Sequence, residues 1–132
     1  MVVAYVDTSL VVALAFDEPS VAGFSDRLGR IDRLCSSTLL EAELLAAAER
    51  EGLRSGVRRF IEPIHFVFPD RRLSNEIDAV LTHGYIRGAD LHHLATALFL
   101  FDKPAGAFFL TLDTQQDRFA TALGFSGLDE LG

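Results

Sequence analysis

The chain has 132 residues, of which 49% are hydrophobic and 23% charged, and its formal net charge is −7. This length and composition are typical of one globular domain and exclude disorder and fibrous repeats. The acidic balance argues against a protein that binds nucleic acid through excess positive charge, although acidic groups that hold divalent cations lower the net charge without repelling phosphate.

The first third of the chain predicts a strand, a helix and then weaker helical turns. Val2–Val6 is continuously apolar and rich in β-branched residues, which favours a buried strand of a parallel sheet. It stops at Asp7–Ser9, three residues of types that cap helices, so we expect a short helix over Leu10–Phe16. After a break at Pro19, Val21–Leu28 predicts a further helical turn or two.

The middle of the chain predicts two more strands and a helical pair. A short strand is expected at Leu34–Ser36, and Leu39–Arg50 predicts a helix because Leu, Ala and Glu favour helices. Leu53–Phe60 is interpreted as a second helix, ended by Pro63, and Ile64–Phe68 has the composition of a strand.

The last part of the chain continues the alternation of helices and strands. An Arg-rich helix is predicted from Pro69 to about Tyr85, followed by a helix over Leu91–Phe101. Ala107–Thr111 predicts a strand, and a last helix begins at Asp113 and runs through Leu123. Strands separated by helices imply a single-domain α/β/α sandwich over residues 1–132 with a central, mainly parallel sheet.

The cellular location is predicted from the cysteine count and the apolar runs. Cys35 is the only cysteine, which suits a reducing compartment, and its thiol is expected to be buried and structural. The start lacks the pattern of a signal peptide, and the longest apolar stretch is too short to span a bilayer. We therefore expect a cytoplasmic protein without membrane contact.

Four acidic residues stand where chemistry is expected in such a fold. Asp7 and Asp113 follow predicted strands, and ligands of open α/β sheets bind outside the carboxyl ends of strands. Asp90 stands at a helix start, and Glu43 lies in an otherwise apolar helix. Taken alone, each of these aspartates is more simply explained as the N-cap of a helix.

The helix that contains Glu43 also contains Glu41. The two are about 200° apart on a helix, so at least one is expected in or beside the core, where a lone carboxylate is costly unless it is paired or binds a metal. Periodicity does not decide between them.

Four segments together resemble a known family. They are Val6–Ser9, Ser36–Leu44, Ala89–Ala97 and Leu110–Asp113. Their residues, in this order and along the whole chain, resemble PIN-domain nucleases, and within that group the VapC-type toxins of type II toxin–antitoxin pairs.

The resemblance implies the members of a metal site. An acidic quartet would be formed by Asp7, Glu43, Asp90 and Asp113. Glu43 is preferred to Glu41 because the glutamate of the family typically lies in an Ala-Glu-Leu context. Residues that support the site with hydroxyls or a further acid would be Thr8, Ser9, Thr111 and Asp117. His93 matches a position that is commonly histidine, for which we expect a role in packing or helix support.

The chemistry of such a site follows from its ligands. Oxygen donors without a His and Cys set favour Mg²⁺ or Mn²⁺ over zinc. A divalent cation can orient and activate water for the hydrolysis of a phosphodiester. We therefore expect a Mg²⁺- or Mn²⁺-dependent endoribonuclease that acts as a toxin.

The resemblance also implies partners. Besides the RNA substrate, these are a small cognate antitoxin, which would contact the region Leu39–Phe60, and a second copy of the chain in a homodimer. Core packing explains the apolar residues of this region equally well. Whether the six arginines between Arg50 and Arg72 contact RNA, antitoxin or water stays open.

Two other functions are compatible with parts of the sequence. A catalytically silent PIN-like scaffold would bind RNA or protein without cleaving it. A phosphoacceptor signalling module could use Asp7, but that chemistry usually needs a nearby lysine, and the only lysine, Lys103, follows a helix rather than a strand.

Overall fold

Four short strands form one sheet. They are β1 (Val3–Val6), β2 (Arg33–Ser37), β3 (Ile64–Val67) and β4 (Phe108–Leu110). In the computed structural model, which describes residues 1–132, the strand order is β3-β2-β1-β4 and every pairing is parallel. The predicted mainly parallel sheet is therefore confirmed, and all of it is parallel.

Helices cover both faces of the sheet. They are α1 (Thr8–Ala15), α2 (Phe24–Leu28), α3 (Leu39–Arg50), α4 (Ser74–Leu81), α5 (Gly88–Leu100) and α6 (Thr114–Leu123). Side chains alternate between the faces of a strand, so Ala4 and Val6 of β1 pack into the core under α1–α3. Tyr5 points the other way and packs with Leu94 and Phe119 in the core under α4–α6. The predicted α/β/α sandwich is confirmed.

Two of the predicted helices have the expected bounds. α3 begins at Leu39 and ends at Arg50, and its buried side chains recur every fourth residue as one stripe of the helix. α6 ends at Leu123 and is followed by Gly124. The φ of Gly124 is 106°, in the left-handed region that glycine adopts readily.

The prediction of a second helix after α3 is wrong. Instead of a helix over Leu53–Phe60, there is only a 3-10 turn at Val57–Phe60. Gly52 and Gly56 have φ values of 70° and 76°, and these left-handed residues prevent a helix from continuing through the segment. The composition of the segment suggested a helix, whereas its two glycines determine the backbone.

The Arg-rich helix predicted from Pro69 to about Tyr85 is shorter than expected. Only α4 is helical, so Arg71 and Arg72 lie in the irregular segment before it. Val21–Leu28 is also not one helix, because Gly23, with φ of 78°, separates a 3-10 turn at Pro19–Val21 from α2.

The strand order places a crevice beside β1. The chain proceeds from β1 through β2 to β3 on one side and returns to place β4 on the other side of β1. Ligands of such sheets bind at the carboxyl ends of the strands where the order reverses. The residues that follow β1 and β4, beginning with Asp7 and Thr111, lie at that point. None of the helices is both long and apolar enough to cross a membrane.

Candidate active site

Asp7 is buried at the carboxyl end of β1. Its side chain is 2% exposed, and its backbone N–H donates a hydrogen bond to the Leu110 carbonyl of β4 at 3.1 Å. Ser9 Oγ donates to Asp7 Oδ1 at 2.8 Å and lies 3.3 Å from the Thr111 hydroxyl. Asp7 precedes α1, yet its carboxylate makes no capping hydrogen bond to that helix. The carboxylate of Asp7 is therefore not used to cap the helix that follows it.

A single amide nitrogen joins Asp7 to Asp90. Gln116 Nε2 donates to Asp7 Oδ2 at 2.6 Å and to Asp90 Oδ1 at 3.1 Å. Asp90 lies in the first turn of α5 and does not cap it, because the N-cap is Arg87. Gln116 was not predicted as a site residue. It could have been found as a polar side chain three residues after Asp113, on the buried side of α6.

Asp113 caps α6, as its position before a helix allows. Its Oδ1 accepts a hydrogen bond from the backbone N–H of Gln116 at 2.8 Å, and its own N–H donates to Thr111 Oγ1 at 2.9 Å. The Thr111 hydroxyl thus contacts both the Asp113 backbone and the Ser9 hydroxyl that holds Asp7. Two of the predicted hydroxyls, Ser9 and Thr111, connect the acids that follow β1 and β4.

The side chains of Glu43 and Glu41 contact different residues. Glu43 Oε1 accepts a hydrogen bond from Thr8 Oγ1 at 2.7 Å and lies 3.1 Å from His93 Nε2. Glu41 instead forms an ion pair with Arg58 at 2.8 Å. Of the two glutamates, only Glu43 therefore contacts the residue that directly follows Asp7 in the chain.

His93 connects Glu43 to the core. The ring is 1% exposed, and its Nδ1 lies 2.7 Å from the Tyr5 hydroxyl, which accepts a hydrogen bond from the Ser37 N–H at 3.1 Å. The Glu43 carboxylate can only accept, so the ring hydrogen lies on Nε2, and in the neutral ring Nδ1 then accepts the hydrogen of the Tyr5 hydroxyl. His93 was expected to pack or to support a helix. In the structure it also contacts Glu43, an acid of the predicted quartet.

The sequence of the chain matches a family. Residues 4–122 match the PIN domain. The chain belongs to the PIN domain family. Among solved structures, VapBC-1 from nontypeable Haemophilus influenzae is similar, with a TM-score of 0.69 and 20% sequence identity over 95% of this chain and 97% of that chain. At that identity the likeness demonstrates a shared fold. No curated protein matches the chain in sequence.

The acids of this PIN domain have perturbed pKa values. Burial raises the pKa of Asp7 above its ordinary value. Burial, followed by the charges of Asp113 and Asp7, raises the pKa of Asp90. The pKa of Glu43 is lowered, chiefly by the hydrogen bond from His93. The negative charges of Asp113 and Asp7 therefore oppose ionisation of Asp90, whereas Glu43 is stabilised in its charged form.

Asp117 faces a second group of acids. It lines a cavity of about 250 Å³ together with Thr111, Asp113, Asp129 and Glu130. Burial, and then the charges of Glu130 and Asp129, raises the pKa of Asp117. The predicted supporting acid is thus one helical turn beyond Asp113 and faces the C-terminal segment of the PIN domain.

The arginines between Arg50 and Arg72 are mostly engaged by neighbouring acids. Four exposed ion pairs account for four of the six, namely Arg50–Glu51, Arg54–Glu49, Arg58–Glu41 and Arg71–Glu76. Exposed pairs of this kind contribute about 0–1 kcal/mol each to stability. Arg59 stacks on Phe60, and Arg72 forms no ion pair.

The donor atoms suit a hard divalent cation, but their side chains are not gathered around one. No group of three or more His, Cys, Asp or Glu side chains is close enough together to hold a metal ion. The carboxylates of Asp7 and Asp90 nevertheless converge on one atom, the amide nitrogen of Gln116. Carboxylate oxygens are the ligands that Mg²⁺ and Mn²⁺ prefer. Asp7 and Asp90 therefore supply donor atoms of the kind that such a cation takes.

Replacing Tyr5 with Phe tests the buried network. The change leaves the Ser37 N–H and His93 Nδ1 without their partner, so we expect the free energy of unfolding to fall by about 1–3 kcal/mol in urea denaturation. Tyr85→Phe is the matched control, because Tyr85 is 78% exposed and its loss should cost less than about 0.5 kcal/mol. Equal stability of the two variants would contradict the network.

The pH dependence of stability tests the buried charge of Asp7. Burial raises its folded-state pKa above 3.8, so folding favours the protonated carboxyl. The contribution of Asp7 to the free energy of unfolding is complete below pH 3.8 and is lost as the pH rises through the folded-state pKa. With a chelator present, wild-type protein should therefore lose stability relative to Asp7→Asn as the pH rises toward 7.

Asp78→Asn is the control for this measurement, because Asp78 is exposed on α4. It should follow the wild-type curve across the whole pH range. If Asp7→Asn also follows that curve, the charge of Asp7 does not oppose folding.

Proposed function

We propose that this PIN domain is a Mg²⁺- or Mn²⁺-dependent endoribonuclease that acts as the toxin of a toxin–antitoxin pair. The cation would be held by the carboxylates of Asp7, Glu43, Asp90 and Asp113. The observation that carries the proposal is the convergence of the Asp7 and Asp90 carboxylates on one donor atom at 2.6 Å and 3.1 Å. Family membership and the position of these acids at the carboxyl edge of the sheet support it.

The roles of the residues follow from their contacts. When bound, a divalent cation supplies charge neutralisation at the phosphodiester and activates water for attack. Ser9 fixes the orientation of Asp7, and the pair of Thr8 and His93 fixes that of Glu43. These hydrogen bonds hold the carboxylates in place before a substrate arrives, which lowers the reorganisation that catalysis requires.

A phosphoacceptor function is less well supported. Lys103 is exposed and lies before β4, at the amino edge of the sheet, whereas Asp7 lies at the carboxyl edge. The charge of the only lysine is therefore on the wrong side of the sheet to assist phosphoryl transfer to Asp7. A silent scaffold would not need the buried charge of Asp7 or the hydrogen bonds that orient Glu43.

Cleavage assays test the catalytic proposal. Asp7→Asn and Asp90→Asn should each reduce Mn²⁺-dependent cleavage of single-stranded RNA by about 100-fold or more, because each removes a charged ligand. Asp78→Asn should cleave like the wild type. A DNA strand of the same sequence tests the assignment to RNA. Unchanged cleavage by both site variants would contradict the acidic quartet.

A partner protein is proposed from the similarity to VapBC-1. Leu44 and Val57 of the region Leu39–Phe60 are buried in the core, so most of its apolar surface is used within the domain. Leu53 is 48% exposed and Phe68 76% exposed. A small antitoxin and a second copy of the chain are the partners that we propose for these exposed apolar side chains.

Expression in a bacterium tests the role as a toxin. Induction of the wild-type chain alone should stop growth, since cleavage of cellular RNA blocks protein synthesis, and growth curves would record the arrest. Asp78→Asn should be equally toxic and Asp90→Asn harmless at equal protein levels. Normal growth with abundant wild-type protein would contradict the toxin proposal while leaving the nuclease proposal to the cleavage assay.

A further inference from the structure

Gln116 is a buried polar residue at the centre of the candidate site. Its side chain is 1% exposed on the inner side of α6. The backbone N–H of the same residue is fixed by Asp113 Oδ1 at 2.8 Å, so the start of its side chain is held in place by the helix cap. A glutamine in this setting needs polar partners, because burying an amide without them is unfavourable.

The amide nitrogen has two acidic partners. A carboxamide NH₂ carries two hydrogens, and those of Gln116 go to Asp7 Oδ2 at 2.6 Å and Asp90 Oδ1 at 3.1 Å. The positive end of the amide dipole thus lies between two carboxylates that would otherwise face each other. The opposite orientation would point the amide oxygen at two anionic oxygens and is excluded by repulsion.

The amide oxygen has no partner. Gln116 Oε1 is buried and makes no hydrogen bond, which is uncommon for a polar atom inside a protein. The amide therefore satisfies the carboxylates and leaves its own acceptor unsatisfied.

We propose that the Gln116 carboxamide occupies the cation position in the metal-free protein and is displaced when a divalent cation binds between Asp7 and Asp90. This inference rests on the proposed function for the identity of the site. The amide holds the two carboxylates together without a cation and competes with the cation for the same oxygen atoms.

Titration of the metal-free protein with Mn²⁺ alone tests the competition. Gln116→Met keeps the length of the side chain and removes both amide atoms, so Mn²⁺ should bind about tenfold more tightly by calorimetry, a gain equal to about 1.4 kcal/mol. Gln115→Met is the matched control, because its amide lies one residue away and contacts only the Tyr85 carbonyl. The control should bind Mn²⁺ like the wild type.

The outcomes separate this inference from the proposed function. Wild-type protein that binds no Mn²⁺ at millimolar concentration would overturn both. Wild-type protein that binds Mn²⁺, with Gln116→Met binding equally or more weakly, would overturn only the displacement of the amide.

A second measurement needs no variant in the site. In spectra of ¹⁵N-labelled wild-type protein, the side-chain NH₂ resonances of Gln116 should move on addition of Mg²⁺, because both of their acceptors are lost. The NH₂ resonances of Gln115 should stay in place. Bound Mg²⁺ with unmoved Gln116 resonances would contradict the inference.

Discussion

The carboxylates of Asp7, Asp90 and Asp113 lie near one another at the carboxyl edge of the sheet, and their repulsion is the constraint on which the site depends. Two such charges about 4 Å apart repel by about 4 kcal/mol at an effective dielectric constant of 20. The protein offsets this cost with hydrogen-bond donors, one of which is shared by Asp7 and Asp90. Ser9 and Gln116 bind Asp7, Gln116 also binds Asp90, and the start of α6 binds Asp113.

Glu43 is held differently from the three aspartates. Thr8 of α1 and His93 of α5 form hydrogen bonds with Glu43. His93 is in turn connected through Tyr5 to the backbone of β2. The orientation of Glu43 is therefore fixed by groups of the core, which are rigid, rather than by another acid. The site combines aspartates whose charges oppose one another with a glutamate that is stabilised in its charged form.

Most of the fold could be predicted from the sequence because the strands are short apolar runs and the helices have clear ends. α3 and α6 have the predicted bounds, and all four strands were expected. The segment Leu53–Phe60 was not predictable from composition, since two glycines with positive φ determine its backbone. The length of α4 was overestimated because arginine favours helices and gave no sign of the irregular segment before Ser74.

The site could be predicted only in part, for a physical reason. The acids follow strands or begin helices, and the topology of parallel sheets brings such positions together. Gln116 and His93 lie within helices, where a polar side chain is ordinarily solvated or packed, and only the fold shows that they point at carboxylates. The choice between Glu41 and Glu43 likewise depended on which of them faces Thr8 rather than Arg58.

We propose that the acidic edge of the sheet binds a divalent cation. Anomalous diffraction from crystals grown with Mn²⁺ tests it most directly, because the signal locates the ion independently of any activity. We expect a peak within coordination distance of carboxylate oxygens of both Asp7 and Asp90. A protein that takes up Mn²⁺ only at distant acids, such as Asp129 and Glu130, or nowhere at all, would contradict it.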